Sequence, residues 1–446
     1  MCIDRTGIVL RGMLRLLMVL VSATQLSAAI AGPVIQHWVT EKGARVYFFP
    51  ADGLPMVDIN ITFAAGSARD GEHGGAAHMT SLLLNKGAAG MSADEIARRV
   101  ASLGAMLSTD SARDMASVEL RTLSDPAHLQ PALALFADVV GRPDFNKPDF
   151  ERERERTLVS IRRSEQEPAS VAGNEIFLAT YGEHPYAGRP TGTMEDIQSI
   201  TLPSVKAFYR QYYVARNAVI GIVGDVDRKQ AEQLAERATD GLAAGVRAAK
   251  LSPVPMPEAG SLKRVSHPSS QSHVRMAAPG VYRGDPDYFP LYVGNHVLGG
   301  SGLVSRLSEE VREQRGLSYS VSSYLSPMEQ NGPYLFSLQT RNDQVDEALE
   351  VMRDTLEKFV DKGPTEDELI ASKKNITGGY ALRIDSNAKI LSHLVMIGFY
   401  DMPLDYMDTF TGKVEAVTRE QIIDAFKRRV FPDRMQTVIV GGTAAD

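Results

Sequence analysis

ITLPSVKAFYRQYYVARNAVIGIVGD, Ile200 to Asp225, and VTREQIIDAFKRRVFPDRMQTVIVGG, Val417 to Gly442, align without a gap at an offset of 217 positions. In each, a threonine, Thr201 or Thr418, stands where a helix N-cap belongs. Its hydroxyl can take up a first-turn backbone N–H that has no carbonyl partner. A short helical segment follows, then a break, then a β-rich run ending in Ile-Val-Gly. The same helix, break and strand order therefore closes two successive stretches of chain, the mark of an internal duplication.

Between the copies, RAAKLSPVPMPEAGSLK (residues 247–263) carries three prolines and little periodicity, so it reads as a linker between an N-terminal domain, 32–246, and a C-terminal domain, 264–446. Within the halves, strand-like runs such as MVDINITFAAG (Met56 to Gly66) and SVELRTL (Ser117 to Leu123) alternate with helical ones. SADEIARRVASLG places Ile96, Val100 and Leu103 on one stripe, with Ser92 and Glu95 spaced as a capping box. Further helices are expected around Glu347–Lys362 and Glu366–Thr377. The fold class that follows is α+β: two homologous domains, each a largely antiparallel sheet with helices packed on one face.

A chain of 446 residues exceeds one ordinary core, and 43% hydrophobic with 23% charged residues describes a globular protein. The first residues differ in kind. Arg5, Arg11 and Arg15 precede the apolar run LLMVLVSA, which gives way to SAAIAG. This is the layout of a secretory signal peptide, residues 1–31, and the Thr, Gln, Ser and Ala within the uncharged span argue against a membrane anchor. Cleavage would remove three arginines and one aspartate and take the formal charge from −7 to −9. With no basic stripe elsewhere, nucleic acid is not an expected partner. The only cysteine, Cys2, lies in the leader, so the exported chain holds neither disulfide nor thiol. The expected location is a bacterial periplasm, with no membrane association after cleavage.

The stretch GGAAHMTSLLLNKGA, Gly74 to Ala88, resembles the start of a metal-binding helix. An inverted zinc motif would read H-x-x-E-H, two histidines one turn apart with a glutamate between them. Here the positions are His78, Ser81 and Leu82. Asp70, Glu72 and His73 lie nearby, but His73 is five residues from His78 in a Gly-rich segment, which is not a helical ligand spacing.

On four motifs in order, the chain resembles the pitrilysin family of zinc peptidases over nearly its whole length. They are GSARDGEHGGAAHMTSLLLNKG (66–87), HPYAGRPTGTMEDIQSIT (184–201), NAVIGIVGDVD (217–227) and LGGSGLVSRLSEEVREQRGLSYSV (298–321). The resemblance implies a fold like that of the mitochondrial processing peptidases. It places the family's catalytic base at Ser81, its second histidine ligand at Leu82 and its downstream glutamate ligand at Ser160, in the helix ERERERTLVSIRRSEQEP. A single imidazole cannot hold a catalytic ion, so no metal or other cofactor is expected in this chain.

The resemblance also assigns Arg312 and Tyr319 to an arginine and tyrosine that orient substrate and stabilise an oxyanion, with Arg315 a neighbouring rival. Gly299, Gly300 and Gly302 would lie near the substrate chamber, and no Gly-Lys-Ser/Thr follows them to make a phosphate loop. Some family members divide the work between two chains. The implied role is the non-zinc subunit of a periplasmic heterodimeric zinc endopeptidase, its partner a homologous zinc-bearing subunit and its substrate a peptide or unfolded protein. Substrate would add as a strand to a sheet edge near AMLSTDSARD (105–114). The alternative is a non-catalytic peptide-binding or scaffolding protein in which the Arg/Tyr pair is a relic.

Overall fold

In the computed structural model, which describes residues 34–442, the two copies of the opening motif fold alike. Helices Leu202–Tyr212 and Arg419–Arg429 superimpose residue for residue under the shift of 217, and so do the single turns Ala215–Asn217 and Pro432–Arg434 that follow them. Both threonines form complete capping boxes. Thr201 accepts the Ser204 N–H and Thr418 that of Gln421, while Ser204 and Gln421 reach back to the threonine N–H groups. The expected leader, residues 1–31, lies outside the described residues.

Each half builds one large mixed sheet, and the first half adds a two-stranded ribbon, Gly87–Ala88 with Met91–Ser92. In the first, the strand order is Gln36–Val39, Arg45–Pro50, Ala218–Gly224, Met56–Phe63, Ala116–Leu123, Met106–Ser111. In the second it is Ser261–Val265, Gln436–Val440, Gln271–Pro279, Pro333–Arg341, Ser320–Leu325. Five strands correspond between the two, with Gln36–Val39 an addition at the edge of the first, and Arg45–Pro50 runs parallel to Ala218–Gly224 as Ser261–Val265 does to Gln436–Val440. Every other pairing within the two sheets is antiparallel. Ser261–Val265 opens the second sheet, so its first three residues belong to the Pro-rich segment that reads as linker in the sequence.

The strand Ala218–Gly224 is buried at every position, which demands cover on both faces. Ala218, Ile220 and Ile222 face a core made by the first half's own helices, while Val219 and Val223 join a core with Leu391, Leu394 and Ile397 of the second-half helix Asn387–Phe399. The second sheet is treated reciprocally. Ala277, Leu335, Val438 and Val440 pack on Ala172 and Ile176 of the first-half helix Pro168–Tyr181. Each sheet therefore carries its own helices on one face and a single helix donated by the other half on the opposite face. At roughly 1.5–3 kcal/mol per fully buried Val, Leu or Ile side chain, this exchange binds the halves tightly. The described residues from Ile35 onward accordingly form one compact unit.

A polar knot also crosses between the halves. Buried Asp114 accepts hydrogen bonds from the Tyr186 hydroxyl (2.7 Å), the Tyr400 hydroxyl (2.9 Å) and the Glu329 N–H (2.7 Å). Among the described residues, no helix is long and apolar enough to cross a membrane.

Candidate functional site

The His78 helix, Ala76–Leu83, begins from Gly75 in the left-handed region (φ +81°), a conformation glycine adopts without strain. No residue at the cap position supplies an acceptor, and Asp70 does so from outside. Its carboxylate takes the N–H groups of Gly75 and Ala77, each at 2.8 Å. Burial pushes the Asp70 carboxyl up to about 7, the two N–H bonds opposing the shift. Asp70 is thus committed to holding the helix start, and Glu72 and His73 are exposed in the turn before it.

Ala76, Ala77, Met79, Thr80 and Leu83 face the core, and so does Ser81, only 3% exposed. His78 and Leu82, one turn apart, face outward onto an open cleft of about 670 Å³. Across it runs the helix Lys147–Ser164, where Thr157 touches Met79 (Oγ1 to Sδ 3.7 Å) and Ser160 stands exposed on the cleft wall. His78, Leu82 and Ser160 are therefore neighbours around one cleft, while Ser81 is on the buried side of its helix. Burial lowers the His78 imidazole below its usual value, the charge of Asp110 opposing, which keeps the ring neutral near pH 7.

Sequence reading passed over Glu153, which the cleft brings into play. It lies two turns before Ser160 on the same helical stripe, is 5% exposed, and is the one carboxylate lining the cleft. Its Oε1 accepts from Arg156 at 3.0 Å and lies 3.6 Å from Arg152 Nε. The spacing of seven from Ser160 within ERERERTLVS was the available signal. Zinc in a peptidase site takes three protein ligands from histidine, cysteine or carboxylate. Here the donors are one imidazole, a serine hydroxyl and a carboxylate occupied by two guanidiniums. They do not fit the ion, and among the described residues no three or more His, Cys, Asp or Glu side chains gather elsewhere.

In the second half, the chain leaves helix Tyr288–Asn295 through a π-helical turn, His296–Gly300, that lies flat on the strand Ser320–Leu325. A Cβ at Gly299 would sit 2.3 Å from Ser323 Oγ, so only glycine permits the contact. Asn295 and Ser323 fasten it by a reciprocal pair of hydrogen bonds, 2.6 and 3.1 Å. Gly300 packs beside Asn295, Gly302 takes a left-handed conformation (φ +66°), and Leu303 and Val304 after it are exposed.

A second π-helical turn, Ser308–Glu313, carries Arg312, and Tyr319 sits just before the strand. Their side chains meet, the guanidinium carbon 5.1 Å from the ring centroid, a cation–π distance. The tyrosine is 84% exposed, yet its backbone neighbours are held. The Leu317 N–H donates to Val311 (2.9 Å), and Ser318 Oγ donates to the Gln339 carbonyl (2.7 Å). Arg315 is engaged with Glu310, donating to its carboxylate (2.7 Å) and carbonyl (2.6 Å). Neither Arg312 nor Tyr319 lines the His78 cleft.

This duplicated architecture is an α+β fold of the insulinase type, with one domain whose histidine helix lacks a metal-binding set and a second that presents an Arg/Tyr pair. The insulinase (peptidase family M16) model matches residues 51–193, and that of the peptidase M16 inactive domain matches residues 199–376. The crystal structure of a peptidase M16 inactive domain from Pseudomonas fluorescens superposes with a TM-score of 0.89 at 38% identity, over 92% of this chain and 98% of that one. The chain therefore belongs to the M16, or pitrilysin, superfamily of peptidases. Among relatives, an uncharacterized zinc protease of Streptomyces coelicolor is 28% identical over 82% of this chain and 80% of its own. A non-peptidase homolog of Helicobacter pylori is 24% identical over 88% of this chain and 90% of its own.

Proposed function

We propose that this chain is the non-zinc subunit of a periplasmic heterodimeric zinc endopeptidase. It supplies Arg312 and Tyr319 to a site whose metal is held by a homologous partner. Two domains, 32–246 and 264–446, would be joined by 247–263, and the chain would be exported by removal of residues 1–31. The observation that carries the reading is the Arg312–Tyr319 contact on a fixed backbone, with the tyrosine 84% exposed and neither residue lining the chain's own histidine cleft. A guanidinium fork can hold a peptide carbonyl or carboxylate, and a phenol can donate one hydrogen bond where negative charge develops. Such groups are useless without a reacting centre opposite them, and the donors around His78 do not make one.

The edge strand Met106–Ser111, with alternating exposed and half-buried residues, supports a peptide or unfolded segment adding as a further strand. Of the chamber glycines, Gly302 has open space where a Cβ would stand and could let substrate backbone pass close, while Gly299 and Gly300 use theirs against Ser323 and Asn295. The scaffolding alternative draws on the name borne by the Helicobacter pylori relative, a non-peptidase homolog.

Co-expression with a zinc-bearing M16 homologue from the same organism tests the proposal. The expected outcome is a one-to-one complex on size-exclusion chromatography that hydrolyses peptides, where this chain alone does not. Separate species with no gain of activity would favour the scaffold.

A further inference from the structure

A cleft of about 540 Å³ opens where the first half, the connecting segment and the second half meet. It shares no lining residue with the His78 cleft and includes neither Arg312 nor Tyr319. Five cationic side chains line it: Arg45 and Arg69 from the first half, Arg247 and Lys250 from the connecting segment, and Arg283 from the second half. Only two carboxylates, Glu329 and Asp401, stand among them. In a chain whose formal charge is −7, such an excess of positive charge is a local departure from the whole.

The two carboxylates are already shared. Asp401 pairs with both Arg45 and Arg247, and its backbone is in the left-handed region (φ +52°) at the turn that holds it there. Glu329 pairs with Arg69 (3.0 Å) and also accepts the Leu251 N–H (3.0 Å). Asp114, behind Tyr400 and Glu329, is spent on its own three donors. Arg283 has a carbonyl, Pro327, at 3.3 Å and no carboxylate, and Lys250 forms no ion pair among the described residues.

Burial adds a second sign. The Arg69 side chain is 7% exposed, and although Arg45 and Arg69 each also donate to a backbone carbonyl, Gly398 and Ala249 (both 2.8 Å), the Nε atoms of Arg45, Arg69 and Arg283 are buried without an acceptor. Groups of this kind are ordinarily satisfied. Burial, and next the charge of Arg247, also hold the Arg45 guanidinium below its usual value, as expected where cations are crowded with too few anions.

From this excess of cations over carboxylates we infer that the seam cleft binds a small multivalent oxyanion, of phosphate or carboxylate type. Forked guanidiniums from both halves and the Lys250 amine would converge on its oxygens. Because the ligands come from three separate parts of the chain, the anion acts as a clamp across the seam. Its binding favours the closed, folded arrangement by mass action.

Isothermal titration of the purified chain with tripolyphosphate, and separately with citrate, tests this, with sodium chloride at matched ionic strength as the reference. The expected result is saturable one-to-one binding of at least one oxyanion, with a melting temperature that rises beyond the chloride reference. Tighter tripolyphosphate binding identifies the phosphate class, and tighter citrate binding the carboxylate class. In Arg283→Gln/Lys250→Gln, affinity should fall roughly tenfold or more, as loss of two charge-assisted contacts requires. Lys250→Gln alone, at an exposed residue, should weaken binding less and keeps the test readable if the double variant is unstable. No saturable binding beyond the chloride reference, or equal affinity in the variants, overturns the inference.

Discussion

The His78 cleft and the Arg312 turn spend their polar groups in opposite ways. Around the cleft, most of the groups that could serve a metal are committed elsewhere: Asp70 caps the helix, Glu153 is held between two arginines, and Ser81 is in the core, leaving His78 and Ser160 on the cleft wall. At the turn, the surroundings are bonded and the tyrosine is exposed, while Arg312, among the described residues, lies against the tyrosine face and forms a 3.4 Å ion pair with its neighbour Glu313. A site that has been absorbed into the fold has its chemistry neutralised by partners. One still offered to another molecule keeps its donors free on a rigid base, because preorganised donors are what stabilise developing charge.

The largest expected effect lies at the turn. Arg312→Ala in the reconstituted complex should lower turnover by about 10²- to 10³-fold, with complex and partner metal intact. Arg315→Ala, whose side chain is already bound to Glu310, should stay near wild type. Steady-state kinetics with chromatography and metal content in parallel separates the two, and similar losses from both arginines would erase the distinction between the arginine beside Tyr319 and the one bound to Glu310.

A smaller effect belongs to the cleft and appears in stability. Burial raises the folded-state carboxyl of Asp70 to about 7, well above its unfolded value, so the folded chain holds that proton more tightly than the unfolded chain. Its contribution is fully present below pH about 4 and is lost as pH rises toward 7. Asp70→Asn mimics the protonated form and should show no such loss. Denaturant unfolding at several pH values should find the variant gaining on wild type by on the order of 1 kcal/mol or more across that window. Parallel pH curves for the two proteins would mean that the helix N-terminus keeps the carboxylate charged.

Much of the fold could be read before any coordinates, because its cues are local. Thr201 and Thr418 with their N3 partners, the helices they cap and the Ile-Val-Gly strands recur at a fixed offset, and the folded copies keep that register. Ser92 was half legible. Its hydroxyl caps Glu95 N–H, but the Glu95 carboxylate turns to Arg99, an ion pair one turn on, and does not close the box. The exchange of helices Pro168–Tyr181 and Asn387–Phe399 was not legible. An unbroken apolar strand announces that both faces are covered, without saying by what. Glu153 was not legible because in the run ERERERTLVS it is one of several alternating charges, and only the packed helix shows it to be the buried one. The seam cleft had no local pattern to find, since Arg45 and Arg283 are brought together only by the packing of the halves.

The most direct test replaces one group from each region in the same reconstituted complex. Tyr319→Phe removes a single donor and keeps the ring stacked beside Arg312, while His78→Ala removes the remaining imidazole of the cleft. If the turn works in trans and the cleft does not, Tyr319→Phe should cost about 10²-fold or more in turnover. His78→Ala should remain within about twofold of wild type, with zinc content unchanged in both. Near-full turnover for Tyr319→Phe in intact complexes, or a loss in His78→Ala as large as that expected of the tyrosine, would contradict the account.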